Sequence, residues 1–326
     1  GTRWSREGRR VLPQARGLGN TRACSALGGA PSCAAVHAPS ERPVDLRGLT
    51  MPALTRALSQ LGIRPSHAGK VFGALHRHGQ DLTALDFLGW RQKARLVEGG
   101  VLAQATVVDE VASPDGSSKL VFALNDGKRV EGVLIPTRDD RVTLCLSTQA
   151  GCAMGCTFCA TATLGLERQL SAGEIIAQVT EARARVAERG QRLTHLVFMG
   201  MGEPLHNYDA VRDAVAILLD PHGACFKARH LTVSTVGLVP RIEQLAAAFD
   251  WRIQLALSLH AGTDATRQRI IPLARKHPLA RLQAALQAWP LPGSRALMLE
   301  YVVLPGVNDS AAELDGLAAF VGALPK

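Results

Sequence analysis

The feature that most constrains the fold is a regular alternation of apolar strands and helical stretches over residues 141–326. The strands recur at intervals of about 30 residues, as in folds built from successive strand–helix units. Strands are predicted at Val142–Ser147, Thr194–Met199, His230–Ser234, Ile253–Leu259 and Ala296–Val303. The helices that follow them are predicted near residues 172–188, 208–219, 239–248, 279–288 and 310–323. The predicted fold class is therefore α/β, with a parallel sheet or an open (β/α) barrel.

Two different patterns precede this region. Within residues 45–102, Leu54, Leu58 and Leu61 recur at helical spacing, which predicts a small domain of about three helices. Residues 103–140 alternate between apolar and polar side chains, and Asn125-Asp126-Gly127 supplies a hairpin turn. This segment is predicted to be antiparallel β structure, with strands at Ala105–Val111, Lys119–Leu124 and Arg129–Ile135.

Residues 1–44 show neither pattern. They are rich in Gly, Ser and Pro and carry arginines at positions 3, 6, 9, 10, 16 and 22. Such a composition favours disorder. The chain does not begin with Met, and the segment is compatible with an organellar transit peptide or with a non-native upstream extension. We expect a cytoplasmic protein, or an organellar one if the segment is a transit peptide.

The charge of the chain suits a polyanionic partner such as RNA. The formal net charge is +9 at pH 7, while only 4% of the residues are aromatic. The low aromatic content disfavours proteins that read single strands by stacking bases on aromatic side chains. No segment reaches the roughly 18 uninterrupted apolar residues that would span a bilayer, so no membrane partner is expected.

Four of the seven cysteines lie at positions 145–159. This clustering favours a metal site in a reducing compartment over a disulfide framework. Cys152, Cys156 and Cys159 share one loop directly after the first predicted strand of the repeat. Three thiolates from one short loop suit a [4Fe–4S] cluster whose fourth iron is left open for S-adenosylmethionine (SAM).

Two alternative roles for the cysteines remain open at this point. Cys145 could complete a zinc site as the fourth ligand, or the cysteines could be inert and buried. Structural zinc usually uses two short Cys-x2–4-Cys pairs, and only one is present.

Further polar groups follow the other predicted strands. In alternating β/α folds the functional groups lie at the carboxyl ends of the strands, so we expect these segments to face the cysteine loop. They are Gly200-Met201-Gly202-Glu203-Pro204, Ser234-Thr235-Val236-Gly237, Ser258-Leu259-His260 and Pro305-Gly306-Val307-Asn308-Asp309.

These segments, in this order, resemble those of the radical-SAM adenine-C2 RNA methyltransferases (the RlmN family) and their C8-methylating relatives (Cfr). The resemblance runs from about Asp45 to Lys326. Its most specific strings are Thr143–Cys159 with the cysteine loop, Met199-Gly-Met-Gly-Glu-Pro-Leu205 and Ser258-Leu-His-Ala261. It implies a partial radical-SAM barrel with five of six units, in which residues 141–326 are the incomplete core and residues 45–102 are an RNA-binding accessory domain.

The resemblance also implies roles for individual residues. Cys152, Cys156 and Cys159 would ligate the cluster. The SAM pocket would be lined by Gly202, Glu203, Ser234, Ser258, Leu259, His260 and Asn308. Glu131 would be the proton acceptor, and Cys145 would form a disulfide with a methyl-carrying cysteine during turnover. The residues alone favour a solvated strand position for Glu131 and a packed thiol for Cys145.

In the family, one SAM methylates the carrier cysteine and a second SAM yields the radical that activates this methyl group. The carrier lies beyond the position that matches Asn308, after a sixth strand. This chain has no cysteine after Cys225, whose predicted loop does not suit that role. We therefore expect a C-terminally truncated chain that binds the cluster and SAM but does not transfer the methyl group.

The implied partners are ribosomal RNA, transfer RNA or both, together with an external, flavodoxin-like one-electron reductant, and the chain is expected to be a monomer. Two alternative functions remain. One is a different radical-SAM activity that needs no carrier cysteine. The other is a non-enzymatic, basic RNA-binding module with a structural metal.

Overall fold

An eight-stranded mixed sheet organises the part of the chain that the structure describes, residues 43–249, 252–289, 291 and 296–324. The structure is a computed structural model. The segment expected to be disordered, residues 1–44, lies outside the described residues except for its last two positions.

A helical region comes first in the described chain. It begins with β1 (Val44–Asp45) and contains α1 (Met51–Gln60), α2 (Ala68–His76) and α3 (Trp90–Gly99). It closes with β2 (Gly100–Val101), which pairs with β1 in parallel. Leu54 and Leu58 are fully buried, as their helical spacing predicts.

The remaining elements follow in order. The three antiparallel strands are β3 (Ala105–Ala112), β4 (Ser118–Leu124) and β5 (Arg129–Pro136). The alternating region then contains β6 (Arg141–Cys145), β7 (Gln149–Gly151), α4 (Ala160–Thr163), β8 (Leu166–Gln169), α5 (Ala172–Glu188), β9 (Arg192–Phe198), α6 (Tyr208–Leu219), β10 (Leu231–Thr235), α7 (Val239–Ala248), β11 (Gln254–Ser258), α8 (Asp264–Ile270), α9 (Leu279–Gln287), β12 (Met298–Glu300) and α10 (Ala311–Gly322).

The order of strands in the large sheet is β12-β11-β10-β9-β6-β5-β4-β3. The strands β6, β9, β10, β11 and β12 run parallel, as the repeat predicts. Because β5 pairs with β6 in antiparallel fashion, the antiparallel segment extends the parallel sheet. Among the described strands the sheet does not close, so the α/β fold is a partial barrel.

Helix α5 shows how local sequence starts a strand–helix unit. The Ser171 hydroxyl accepts a hydrogen bond from the Glu174 N–H at 3.1 Å, and the Glu174 carboxylate accepts one from the Ser171 N–H at 2.9 Å. This reciprocal capping fixes the start of the helix. The apolar face of α5 packs on β6 and β9, the strands that lead into the cysteine loop and the Gly202 loop.

Two features near the site differ from the prediction. The last strand is predicted over Ala296–Val303, yet β12 has only three residues. The strand ends early because side chains replace the neighbouring strand as hydrogen-bond acceptors. The Val302 N–H donates to His260 Nδ1 (3.1 Å), and the Leu304 N–H donates to Asn308 Oδ1 (2.6 Å). The β7–β8 hairpin, which flanks the cysteine loop, is not predicted at all.

None of the described helices is long and apolar enough to cross a bilayer.

Candidate functional site

A cavity of about 260 Å³ lies at the carboxyl ends of the parallel strands. The three loop cysteines line it, as do most of the residues expected in the SAM pocket: Gly202, Glu203, Ser234, Ser258 and His260. The remaining wall includes Met154, Phe158, Thr161, Met199, Gly200, Pro204, Val236, Glu300 and Val302. The structure thus brings together residues that are more than 100 positions apart in the sequence.

Two backbone hydrogen bonds hold the cysteine loop. The Cys152 N–H donates to the Gly165 carbonyl at 2.8 Å, and the Thr157 N–H donates to the Ile270 carbonyl at 2.9 Å. Gly155 has φ +68°, a conformation that glycine adopts without strain. Cys152 and Cys156 are buried, and Cys159, immediately before α4, is half-buried.

The buried environment of the loop thiols favours their protonated form. Burial raises the pKa of Cys156 to about 12, and the neighbouring cysteines and Glu203 add to the rise. Burial also raises the pKa of Cys152. Without a bound metal these thiols stay protonated near neutral pH, whereas a bound metal favours the thiolates.

The spread of the thiols fits a cluster better than a single ion. Over the described residues, no three His, Cys, Asp or Glu side chains converge closely enough to hold one metal ion, which a tetrahedral zinc site requires. Cys145, the fourth ligand of the zinc alternative, does not line the cavity. The three thiols around one cavity match the donor set of an iron–sulfur cluster with one open iron.

Arg267, on α8, lies behind this wall and is 0% exposed. Its guanidinium donates to the carbonyls of Val236 (2.6 Å), Leu259 (3.1 Å) and Ser258 (3.3 Å). Its Nη1 has no hydrogen-bond partner among the described residues. Burial lowers the pKa of Arg267 to about 10, so the group stays charged and, in turn, lowers the pKa of Cys156. A buried cation next to the thiols fits a site that holds an anionic cluster of thiolates.

Glu203 is a buried residue of the cavity wall. Its carboxylate accepts hydrogen bonds from the backbone N–H groups of Leu205 (3.1 Å) and Val236 (2.9 Å). Burial raises its pKa to about 7, although these hydrogen bonds oppose the rise. The carboxylate can therefore hold or release a proton near neutral pH inside the cavity.

Gln149, in the hairpin strand β7, holds the Gly202–Glu203 turn against the cysteine loop. Its side-chain oxygen accepts the Glu203 N–H at 2.7 Å, and its amide nitrogen lies 2.8 Å from Gln169 Oε1. Gly202 has φ +102°, and a Cβ atom there would lie 2.6 Å from Gln149 Cβ. Only glycine fits this close approach, as the paired glycines of the turn predict.

The last three strands, β10, β11 and β12, contribute a row of oxygen atoms. Ser234 Oγ lies 3.4 Å from Ser258 Oγ, which donates to the Glu300 carboxylate at 2.9 Å. No sequence motif points to Glu300 as a site residue. Glu300 pairs with Ser258 in β11 and β12, and this pairing is the signal that could have identified it.

Leu259 and Asn308, both expected in the SAM pocket, lie behind the wall and do not line the cavity. The Asn308 amide donates to the carbonyls of His260 (2.8 Å) and Val302 (2.7 Å), so it fastens the wall from outside. The His260 ring meets Phe158 of the cysteine loop edge-on, with the ring centroids 4.9 Å apart. Burial lowers the pKa of His260 to about 4, so the ring is neutral at pH 7.

Glu131 and Cys145 also lie outside the cavity wall. Glu131, exposed on β5, forms an ion pair with Lys119 at 3.0 Å, and its N–H donates to Met201 Sδ at 3.3 Å. Burial raises the pKa of Cys145, at the end of β6, to about 11. Cys145, Cys152, Cys156, Cys159 and Cys225 are all free, so the expected disulfide has no support from the structure.

Comparisons with known proteins agree with this geometry. Residues 146–317 match the model of the radical SAM superfamily. The chain is 43% identical over 293 residues to the dual-specificity RNA methyltransferase RlmN of Anaeromyxobacter sp. (strain Fw109-5), covering 88% of this chain and 77% of that protein. It is 41% identical over 303 residues to RlmN of Sorangium cellulosum (strain So ce56), covering 82% of this chain and 78% of that protein.

A solved structure gives the same result. The crystal structure of a radical SAM methyltransferase from Sphaerobacter thermophilus superposes with a TM-score of 0.80 at 41% identity, covering 86% of this chain and 83% of that one. Both the sequence and the fold therefore match these proteins over most of the chain. The chain therefore belongs to the radical SAM superfamily and, within it, to the family of the RlmN methyltransferases.

Proposed function

We propose that this chain binds a [4Fe–4S] cluster through Cys152, Cys156 and Cys159 and binds SAM in the adjoining cavity, and that its family reaction is methylation of adenosine C2 in ribosomal RNA, transfer RNA or both. The observation that carries the proposal is that the three thiols share one cavity wall with Glu203, Ser234, Ser258 and His260. The relatives named dual-specificity RNA methyltransferases support RNA as the substrate.

When bound, the cluster supplies the single electron that cleaves SAM, and SAM supplies the methyl group and the radical. The residues of the chain prepare the site for this chemistry. Cys152 and Cys156, both buried, and half-buried Cys159 would hold the cluster in the cavity wall. Neutral His260, held by Val302 and Phe158, closes the wall beside the loop. Glu203 offers a proton-accepting carboxylate within the same wall.

Basic groups of the helical region support RNA docking there. Arg64, Lys70 and Arg91 are exposed and form no ion pair with any described residue. Trp90 is 75% exposed, and Arg91 lies over its ring at 5.1 Å. Exposed cations suit phosphate contacts, and the pair formed by Arg91 and Trp90 suits a base contact.

Methyl transfer has a further requirement in the family. The resemblance places the methyl-carrying cysteine beyond the position of Asn308, where these 326 residues contain none. Cys145 alone cannot both carry the methyl group and resolve the product. We therefore infer that these residues by themselves cleave SAM without methylating RNA.

Anaerobic reconstitution tests the proposal. Iron and sulfide analysis should give close to four of each per chain, and SAM should alter the spectrum of the reduced cluster. Cys156→Ala should abolish the cluster, whereas Cys225→Ala, at an exposed cysteine outside the cavity, should keep it. Bound zinc, or an intact cluster in the Cys156 variant, would overturn the proposal.

The reaction itself has a separate readout. Mass spectrometry of 5′-deoxyadenosine measures SAM cleavage, and mass spectrometry of digested RNA measures methyl transfer. Appending the family's C-terminal segment with its cysteine should produce 2-methyladenosine. Methylated adenosine formed by the 326 residues alone would show that the carrier mechanism does not apply.

A further inference from the structure

Glu300 is a carboxylate in the cavity wall to which the motifs assign no role. We propose that Glu300 accepts a hydrogen bond from one ribose hydroxyl of SAM and thereby favours a nucleoside that carries this hydroxyl. The inference rests on the proposed function, because it takes SAM as the ligand of the cavity.

The sheet fixes where the Glu300 side chain points. Glu300 pairs with Ser258 in the parallel register of β11 and β12. Its carbonyl accepts the N–H groups of Leu259 (3.0 Å) and His260 (3.3 Å), which anchor the backbone at the point where the strand ends. Residues that pair in register project to the same face of a sheet. Glu300 therefore faces the cavity beside Ser258.

The carboxylate has unfilled acceptor positions on that face. An ionised carboxylate offers about four acceptor sites. The Ser258 hydroxyl fills one at 2.9 Å, and no other described residue hydrogen-bonds to the Glu300 side chain or forms an ion pair with it. The carboxylate oxygens of Glu203, by contrast, each accept a backbone N–H. Glu300 is thus the carboxylate of the wall that a ligand donor can still reach.

The hydrogen-bond donors of SAM limit which of its groups can bind Glu300. Its amino and carboxylate groups belong at the open iron of the cysteine loop under the proposed function. The ribose hydroxyls are then the donors next along the molecule. Each hydroxyl both donates and accepts, which matches a carboxylate next to the hydroxyls of Ser258 and Ser234. The adenine amino group only donates, so it would leave the serine hydroxyls unmatched.

The test is a double-mutant cycle between protein and ligand, carried out on the cluster-loaded 326-residue chain by anaerobic equilibrium dialysis. SAM, 2′-deoxy-SAM and 3′-deoxy-SAM are the ligands. Glu300→Ala should weaken SAM binding about 10- to 100-fold, the range for removal of a hydrogen bond to a charged group. Glu300→Gln keeps the shape and a neutral acceptor, so its effect should be smaller.

The coupling between Glu300→Ala and the loss of a ribose hydroxyl shows which hydroxyl Glu300 binds. One of the two deoxy analogues should bind wild type more weakly than SAM does, and Glu300→Ala should cost that analogue no further affinity. Equal losses of affinity for SAM and both analogues, or an unchanged affinity for SAM, would overturn the inference. Glu243→Ala, an exposed glutamate on α7, is the matched control and should leave all three affinities unchanged.

Iron and sulfide content, measured on every variant, confirms that each sample carries the cluster. If cluster-loaded wild type bound no SAM, the proposed function would fail. If wild type bound SAM and Glu300→Ala bound it equally well, only the inference about Glu300 would fail.

Discussion

The carboxylate of Glu203 accepts a hydrogen bond from the backbone N–H of Val236 at 2.9 Å, which joins the loop after β9 to the loop after β10. Both residues line the cavity. The bond therefore makes the shape of the cavity depend on an acid whose pKa is raised to about 7 by burial. A buried acid of this kind couples the stability of the site to pH.

We expect the metal-free chain to lose stability as the pH rises, because of Glu203. Its pKa is about 7 in the folded chain and 4.5 in the unfolded reference. The folded state therefore binds more protons between these values, and the contribution of this residue, at most roughly 3 kcal/mol, is present below pH 4.5 and is lost as the pH passes 7. Urea unfolding at pH 5 and pH 8 measures it. Glu203→Gln should flatten the slope and Glu243→Gln should not. An unchanged slope in the Glu203 variant would contradict the assignment.

Gly202→Ala should destabilise the chain by roughly 2–4 kcal/mol, because it adds backbone strain at φ +102° and a Cβ atom at 2.6 Å from Gln149. Denaturant midpoints measure the effect. The control is Gly322→Ala at the end of α10, where an added Cβ meets nothing within 4 Å and the change should be under about 0.5 kcal/mol. Equal midpoints for the two variants would show that the turn relaxes around the methyl group.

Arg267→Met should cost roughly 3 kcal/mol or more, because it leaves the carbonyls of Val236, Ser258 and Leu259 without their buried donor. Arg269→Met is the matched control. Among the described residues, its exposed guanidinium hydrogen-bonds only to the Val307 carbonyl, so its removal should cost under about 1 kcal/mol. Chemical denaturation of the metal-free chain measures both. Similar destabilisation in the two variants would show that the carbonyls find other donors.

RNA binding should weaken steeply with salt, because phosphate contacts release counterions. Replacing Arg64, Lys70 and Arg91 by Gln should lower the slope of log K against log salt by about 2, at roughly 0.7–0.9 for each phosphate that is no longer neutralised. Filter binding over a salt series measures the slope. The matched control replaces Arg192, Lys227 and Arg229, which lie at or before the amino ends of β9 and β10, away from the cavity. An equal change of slope in both triple variants would show that the helical region is not the docking surface.

Much of the fold could be predicted because its signals are local. The predicted bounds of helices 172–188, 208–219 and 239–248 agree with α5, α6 and α7. The apolar spacing and the cap that define such a helix lie within the helix and its flanking residues, as Ser171 and Glu174 show. The three-cysteine loop and the glycines of the Gly202 turn are equally local, so the sequence predicts both the ligand set and the site of close backbone approach.

The sequence by itself determined the alternation of strands and helices, the loop of three thiols and the family. Only the tertiary structure decided the places of Arg267, Glu300 and Asn308 around the cavity. Arg267 reaches the carbonyls of two strand ends, Glu300 faces the cavity through its register with Ser258, and Asn308 fastens the wall from behind. These positions depend on strand order and register between segments up to 48 residues apart. A local sequence pattern does not predict these positions, because burial and hydrogen bonding between separate segments determine them.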